Sequence, residues 1–304
     1  MYKYRLAATA LKVFSVNELT RKTYRALGNV LGGKQRGSSV QSHYFSRAEG
    51  NLRAIEECGA IADGMQLVEL GTGWVHWEAM FTRLFYDVKI KLFDVWDNRQ
   101  FQGFLHYVGE LRHRLASEIK RDPEAIKKAE ALLDRVLETK SFEEAYALLG
   151  FEYIIEPTGS LRAIEDGSVD LVISSDVMEH VPRDAVPALC ADLKRILRPG
   201  GHVSQQIVYV DHLTIYDRAV HPKNYLRYSD RQWRWWLQND VQYINLLQPS
   251  DFQKAFTSNG FEIVNVENVQ LCDSSKLKID ERFRHYPREE LDVAVDRLIV
   301  KTPS

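Results

Sequence analysis

Glu69-Leu-Gly71-Thr-Gly73 sets a carboxylate and two glycines at the end of a short apolar run that starts at Leu67. Such a run reads as a buried strand, and glycines at its end let the backbone bend tightly and approach a ligand with no Cβ in the way. The chemistry this suits is nucleotide binding. Position 76 is His76 where a dinucleotide fingerprint needs glycine, so Gly-x-Gly-x-x-Gly is not formed. Asp94 closes a second run, Val88-Lys-Ile-Lys-Leu-Phe93, about twenty residues further on, where an acidic side chain can accept hydrogen bonds from both hydroxyls of a ribose. Asp97 competes for that role. Two histidines follow carboxylates later in the chain, Asp176-Val-Met-Glu179-His180 and Asp211-His212. Histidine is the usual side chain for taking a proton from a weak nucleophile near neutral pH.

The elements that must position these residues can be read in order. Ser46-Arg-Ala-Glu49 has the pattern of a capping box and predicts a helix from there to about Cys58. The strand from Leu67 is followed by a helix from about Val75 to Phe85 and by the strand ending at Asp94. A helical insertion over 100–150 comes next. It carries helix starts at Asp122-Pro123-Glu124 and Ser141-Phe-Glu-Glu144 and a stop at Gly150. Its Lys/Glu-rich surface suggests a helical cover or a dimer surface. Phe151–Ile155 reads as a third strand, Asp170–Ser175 as a fourth, and His202–Val210, after the turn Arg198-Pro-Gly-Gly201, as a fifth. The last strands are expected within Phe261–Val266 and Leu291–Val300. His180 and His212 would then lie after the fourth and fifth strands, and in open α/β sheets the carboxyl ends of the strands line the binding crevice.

Glu69-x-Gly71-x-Gly73, Asp94, the fourth strand with its Glu179-His180 loop, and the Arg198–Gly201 turn with its strand resemble, in order and spacing, class I S-adenosylmethionine-dependent methyltransferases. The resemblance implies an α/β, doubly wound, mostly parallel seven-stranded sheet (the Rossmann-like methyltransferase fold). Here that sheet carries a basic helical arm (1–60) ahead of the methyltransferase domain (61–304). It also implies S-adenosylmethionine as cofactor, held by Glu69, Gly71, Thr72, Gly73, Trp74, Asp94 and Ser175. The segment 211–252 is too long for an ordinary connection, and such loops are often functional. Its Asp211-His212, His221-Pro222, Leu226–Trp233 and Tyr243–Leu247 stretches, with Leu70-Gly-Thr-Gly-Trp74 and the arm, are similar to methyltransferases of bacterial polysaccharide and sugar biosynthesis. That likeness makes 211–252 an acceptor lid, with Tyr225, Arg227, Trp233 and His221 expected to bind a sugar or glycan. Aromatic faces and forked polar groups suit the C–H faces and hydroxyls of such a ligand.

For methyl transfer to a sugar hydroxyl, His212 with Asp211 is expected to form the acceptor-side base, with His180 second to it. Asp176, Asp211 and His212 are oxygen-rich enough to hold Mg²⁺, but no compact metal motif is present and no metal is predicted. A net charge of −2 argues against nucleic acid as a partner. The unpaired spacing of Cys58, Cys190 and Cys272 suits a reducing cytoplasm, and neither a transmembrane stretch nor a signal-peptide core is read in the chain. Charge is uneven. Residues 1–40 hold Lys3, Arg5, Lys12, Arg21, Lys22, Arg25, Lys34 and Arg36 against Glu18 alone, interleaved with apolar side chains. Such an arm either lies on an anionic surface, at the inner face of the membrane, or packs on the core or on a second subunit of a homodimer. Two further readings stay open: methylation of a diffusible small molecule by O-, N- or C-attack, and a non-catalytic partner that keeps the fold.

Overall fold

The computed structural model describes residues 2–24 and 40–304. Its centre is a seven-stranded sheet in the order β3-β2-β1-β4-β5-β7-β6. The strands are β1 (Gln66–Leu70), β2 (Lys89–Asp94), β3 (Phe151–Ile155), β4 (Val169–Ser175), β5 (Leu197–Val208), β6 (Glu262–Leu271) and β7 (Val293–Lys301). The first five run parallel, and β7 lies antiparallel between β5 and β6. This is the doubly wound methyltransferase arrangement expected from the sequence. Strand order reverses between β1 and β4, so a crevice opens there at the carboxyl ends of both.

The central strands are apolar on both sides because both faces are covered. Leu67 faces one core layer and Val68 the other, and Leu92 and Phe93 alternate in the same way. The first layer is built by α2 (Ser42–Glu57), α3 (Trp77–Phe85) and the three helices of the insertion, α4 (Phe101–Glu118), α5 (Pro123–Leu137) and α6 (Phe142–Leu149). The second is built by α7 (Val186–Ile196) and α8 (Pro249–Ser258). Asp122 caps α5 by accepting from the Glu124 and Ala125 amides, Ser141 caps α6, and Gly150 at φ +72° ends it. The expected cap at Ser46 is not one. Gln41 precedes the helix, and Ser46 lies one turn inside it with its hydroxyl donating to the Ser42 and His43 carbonyls.

A third apolar cluster joins α1 (Tyr2–Phe14) to segment 211–252. Tyr4, Ala8 and Leu11 pack against Leu213, Tyr225, Leu226, Trp233 and Leu237. The basic part of the arm at Arg25, Lys34 and Arg36 lies outside the described residues. Among the described residues, no helix is long and apolar enough to cross a membrane.

Candidate active site

The glycine loop after β1 is held from both sides. Gly71 and Thr72 donate their amides to the Phe93 carbonyl at the end of β2, at 2.8 and 3.2 Å, and the Gly73 amide donates to Asp94 Oδ2 at 3.0 Å. Gly71 has φ +65°, and a Cβ there would sit 2.3 Å from Val177 Cγ2, so only glycine fits. Gly73, at φ +61°, has only the Gly71 carbonyl oxygen, 4.0 Å away, near its missing Cβ. The half-buried backbone there is therefore not shielded by a side chain from a ligand. Glu69 sits beneath the loop, accepting from the Thr72 hydroxyl and the Ala79 amide. Burial pushes its carboxyl up to about 8.

His76, the residue that breaks the dinucleotide fingerprint, completes this support. Its Nδ1 lies 2.9 Å from Thr72 Oγ1 and its Nε2 2.7 Å from the hydroxyl of Tyr146 on α6. Full burial lowers its pKa to about 3, so the ring is neutral. Glu69, Thr72, His76 and Tyr146 thus form one chain from β1 to the inserted helices. The insertion is therefore tied to the site and is more than a cover. It also supplies Tyr107, which stands edge-on to Trp74 with centroids 4.9 Å apart.

A cavity of about 170 Å³ opens over this loop, lined by Tyr44, Arg47, Gly73, Trp74, Glu78 and Ser175 among others. Glu69, Gly71, Thr72, Gly73, Trp74 and Ser175, all expected at the cofactor, are brought together here. Asp94 lies just outside, its Oδ1 accepting from the Val95 amide at 2.7 Å and its Oδ2 from Gly73. Asp97 is turned to its own Arg99 in a two-pronged ion pair, which leaves Asp94 as the ribose candidate. Sequence reading missed Arg47. Its guanidinium lies over the Tyr44 ring, 2.7 Å from both Glu78 Oε1 and Asp176 Oδ2. No local periodicity marks it, because its partners come from α3 and from the end of β4.

A second cavity, about 630 Å³, lies beyond Asp176 at the end of β5. Its lining includes Asp176, Glu179, His180, His212, Arg218 and Gln270, with an aliphatic wall from Val208, Val210, Ile215, Val220 and Val295. Asp176 has φ +59°, uncommon for a non-glycine residue, and is fixed by Arg47 on one side and the Gln206 amide group at 3.1 Å on the other. It stands between the two cavities. His180 Nδ1 donates to the Tyr243 carbonyl at 2.6 Å, which leaves Nε2 as the lone-pair nitrogen. His212 is 4.9 Å away, ring centre to ring centre, and desolvation followed by repulsion from His180 lowers its pKa to about 4.

Several expected roles are not supported by this geometry. Asp211 does not orient His212. It is fully buried, accepts from the Tyr4 hydroxyl at 2.6 Å and the Leu213 amide at 3.0 Å, and is raised to about 7 by burial. Tyr225 and Trp233 are core residues, 1% and 4% exposed, and Tyr225 donates to the Tyr209 carbonyl. Both His221 nitrogens are already used, one by the Asp273 carbonyl beyond β6 and one by the Lys223 amide within the lid, and Arg227 is exposed outside the cavity lining. Asp211 cannot join Asp176 in a cation site for the same reason that it cannot orient His212. The group that does converge is Glu179, His180 and His212, with one candidate ligand atom each within 4.8 Å of the others.

Residues 41–266 match the model of the methyltransferase domain family. No curated protein matches the chain by sequence. Solved structures of similar fold include phosphoethanolamine N-methyltransferase 2 of Haemonchus contortus bound to S-adenosyl-L-methionine. That enzyme is 16% identical with a TM-score of 0.47, over 84% of this chain and 52% of that one. They also include an S-adenosylmethionine-dependent methyltransferase from Mesorhizobium loti (15%, TM-score 0.44, 82% and 96% covered) and a putative sarcosine dimethylglycine methyltransferase from Galdieria sulphuraria (11%, TM-score 0.46, 84% of each). The chain spans about half the length of the Haemonchus contortus enzyme. Because the family match covers both the glycine cradle and most of the second cavity's wall, the chain belongs to the methyltransferase domain family.

Proposed function

We propose that the chain methylates a hydroxyl oxygen held in the 630 Å³ cavity, the acceptor being a sugar of a glycan or glycolipid precursor. The observation that carries this reading is the pair of imidazoles, His180 and His212, 4.9 Å apart at the wall of a cavity that begins where the glycine cradle ends.

When bound, S-adenosylmethionine supplies a methyl group on a sulfonium, open to in-line attack. The cradle's own part is to orient. Gly71 and Gly73 let the backbone approach, Asp94 offers lone pairs to ribose hydroxyls, and Arg47 ties Glu78 to Asp176 at the wall of the cradle. His212, half-buried and kept unprotonated by desolvation, receives the proton of the attacking hydroxyl as the new carbon–oxygen bond forms and the carbon–sulfur bond breaks. Asp176 holds the edge between donor and acceptor, and holding the reacting atoms in near-attack geometry lowers the barrier to a displacement of this kind. Thr214, Arg218 and Gln270 give the cavity hydrogen-bonding groups for further hydroxyls.

The aliphatic wall favours a second reading, a diffusible and less polar small molecule as acceptor. Assay of the wild type and of His212→Ala with labelled cofactor against nucleotide sugars, oligosaccharides and small phenols separates the two. Label transferred only to small phenols would replace the sugar reading.

A further inference from the structure

Helix α1 is apolar on two opposite sides. Tyr4, Ala8 and Leu11 are buried against the lid. At about 100° per residue, Tyr2, Leu6 and Val13 fall within roughly 40° of one another on the opposite side. They are 80%, 57% and 60% exposed. Beyond α1, Val16 and Leu19 are exposed as well. A second exposed apolar element meets the end of this helix. Residues Trp233–Leu237 wind as one π-helical turn, which buries Trp233 and Leu237 and turns Trp235 and Trp236 outward at 72% and 61% exposure. Lys12 fastens the two elements together, its ammonium donating to the carbonyls of Arg234 and Trp235, and Arg21 pairs with Asp240 at 2.9 Å.

Large side chains this exposed, drawn from segments more than 200 residues apart, mark an interaction surface. Its charge identifies the occupant. Among the basic side chains of this face, Arg21 pairs with Asp240, Lys22 with Glu18 and Arg234 with Asp230, which leaves a net positive excess carried by Lys3, Arg5, Lys12 and Arg231. A two-fold contact with a second copy would bring this cationic patch against itself. An anionic surface would be attracted, and paired tryptophans with basic neighbours are the composition that settles at a membrane–water interface. An apolar groove of about 460 Å³, lined by Leu6, Ala10, Phe14, Tyr24 and Tyr216, runs beside the helix. Tyr216 ends the turn His212–Tyr216, which also lines the acceptor cavity through His212, Thr214 and Ile215.

We infer that α1 and Trp235–Trp236 form a docking face for an anionic lipid bilayer, placing the mouth of the acceptor cavity against the membrane surface. Only the identity of the delivered acceptor rests on the function proposed above. The docking itself does not. The test is co-sedimentation of the full chain with vesicles of phosphatidylcholine plus phosphatidylglycerol and with vesicles of phosphatidylcholine alone, at low and high salt. The wild type should partition to the anionic vesicles and lose most of that binding in high salt. Lys3→Glu and Arg5→Glu should each lower partitioning by at least fivefold, and Trp235→Ser/Trp236→Ser by tenfold or more. All four side chains are exposed, so melting temperature and cofactor affinity should stay at wild-type values. Wild type that does not sediment with anionic vesicles overturns the inference. So does a dimer in sedimentation velocity that the tryptophan variant converts to monomer, which would assign the face to a second copy. Vesicle binding without transfer to any sugar would instead leave this inference standing and remove the sugar acceptor.

Discussion

His180 and His212 face one another at 4.9 Å between ring centres, one delivered by the turn after β4 and the other by the turn after β5. They are 32 positions apart in sequence, and neither has the carboxylate partner that its neighbour in sequence suggested. Their setting determines their state. His180 is fixed in one tautomer by the Tyr243 carbonyl, and His212 is kept neutral by desolvation.

His212→Ala should lower kcat for methyl transfer by about 10²–10⁴-fold while cofactor affinity stays near wild type, because the ring lines only the acceptor cavity. The pH profile gives the sharper check. A histidine whose pKa is lowered to about 4 remains a competent base as pH falls through 6.5, so kcat/KM should hold there and decline only as pH approaches that lowered value.

Gly71→Val should abolish cofactor binding measured by calorimetry. The substitution forces a branched side chain to φ +65° and against Val177. Trimming Val177 to alanine in the same chain should not restore binding, because the backbone conformation remains unfavourable.

His76→Gln tests the buried latch beneath the loop. The native ring titrates near 3 and the unfolded one near 6.5, so the unfolded chain binds the extra proton between those values. Native stability from this group is therefore intact above pH 6.5 and falls as pH is lowered, by at most about 1.4 kcal/mol per pH unit. Denaturant melts at pH 7 and pH 5 should show a shallower loss in the variant than in the wild type.

Trp233→Ala should destabilise the chain by about 3–5 kcal/mol, as expected for an emptied core position, with little change in the acceptor KM of the protein that remains folded. Urea melts and steady-state kinetics on the same sample distinguish this from a ring that contacts the acceptor.

Treatment with a chelator should leave turnover unchanged. Glu179, His180 and His212 come close enough to share a cation, but proton transfer needs the imidazoles free of one. Loss of activity on chelation, restored by one divalent metal, would transfer them to a metal site.

The parts of this fold legible in the sequence are those written in local patterns. Leu67–Leu70 announces a strand by its short apolar run, and Val88–Phe93 by apolar residues that alternate with Lys89 and Lys91. Gly71 and Gly73 announce the turn by their lack of Cβ, and Asp122 and Ser141 announce helix starts by their side-chain acceptors. The parts that were not legible depend on pairings through space. Tyr4 and Asp211 are 207 residues apart, so nothing beside Asp211 shows that its carboxylate is already taken. Arg47 sits in a helix face read only as a cap, and Tyr225 and Trp233 look like ligand-stacking rings until α1 is placed over them. Composition can place aromatics in a lid. It cannot tell which side of the lid they face.

The central claim is that donor and acceptor meet at the edge marked by Asp176, with His212 taking the proton. Single-turnover transfer from methyl-labelled S-adenosylmethionine to a sugar acceptor, run with wild type and His212→Ala each saturated with cofactor, tests it most directly. Label should appear on a sugar oxygen with wild type, at a rate at least a hundredfold lower in the variant. Equal rates in the two proteins, or label that never reaches oxygen, would contradict it.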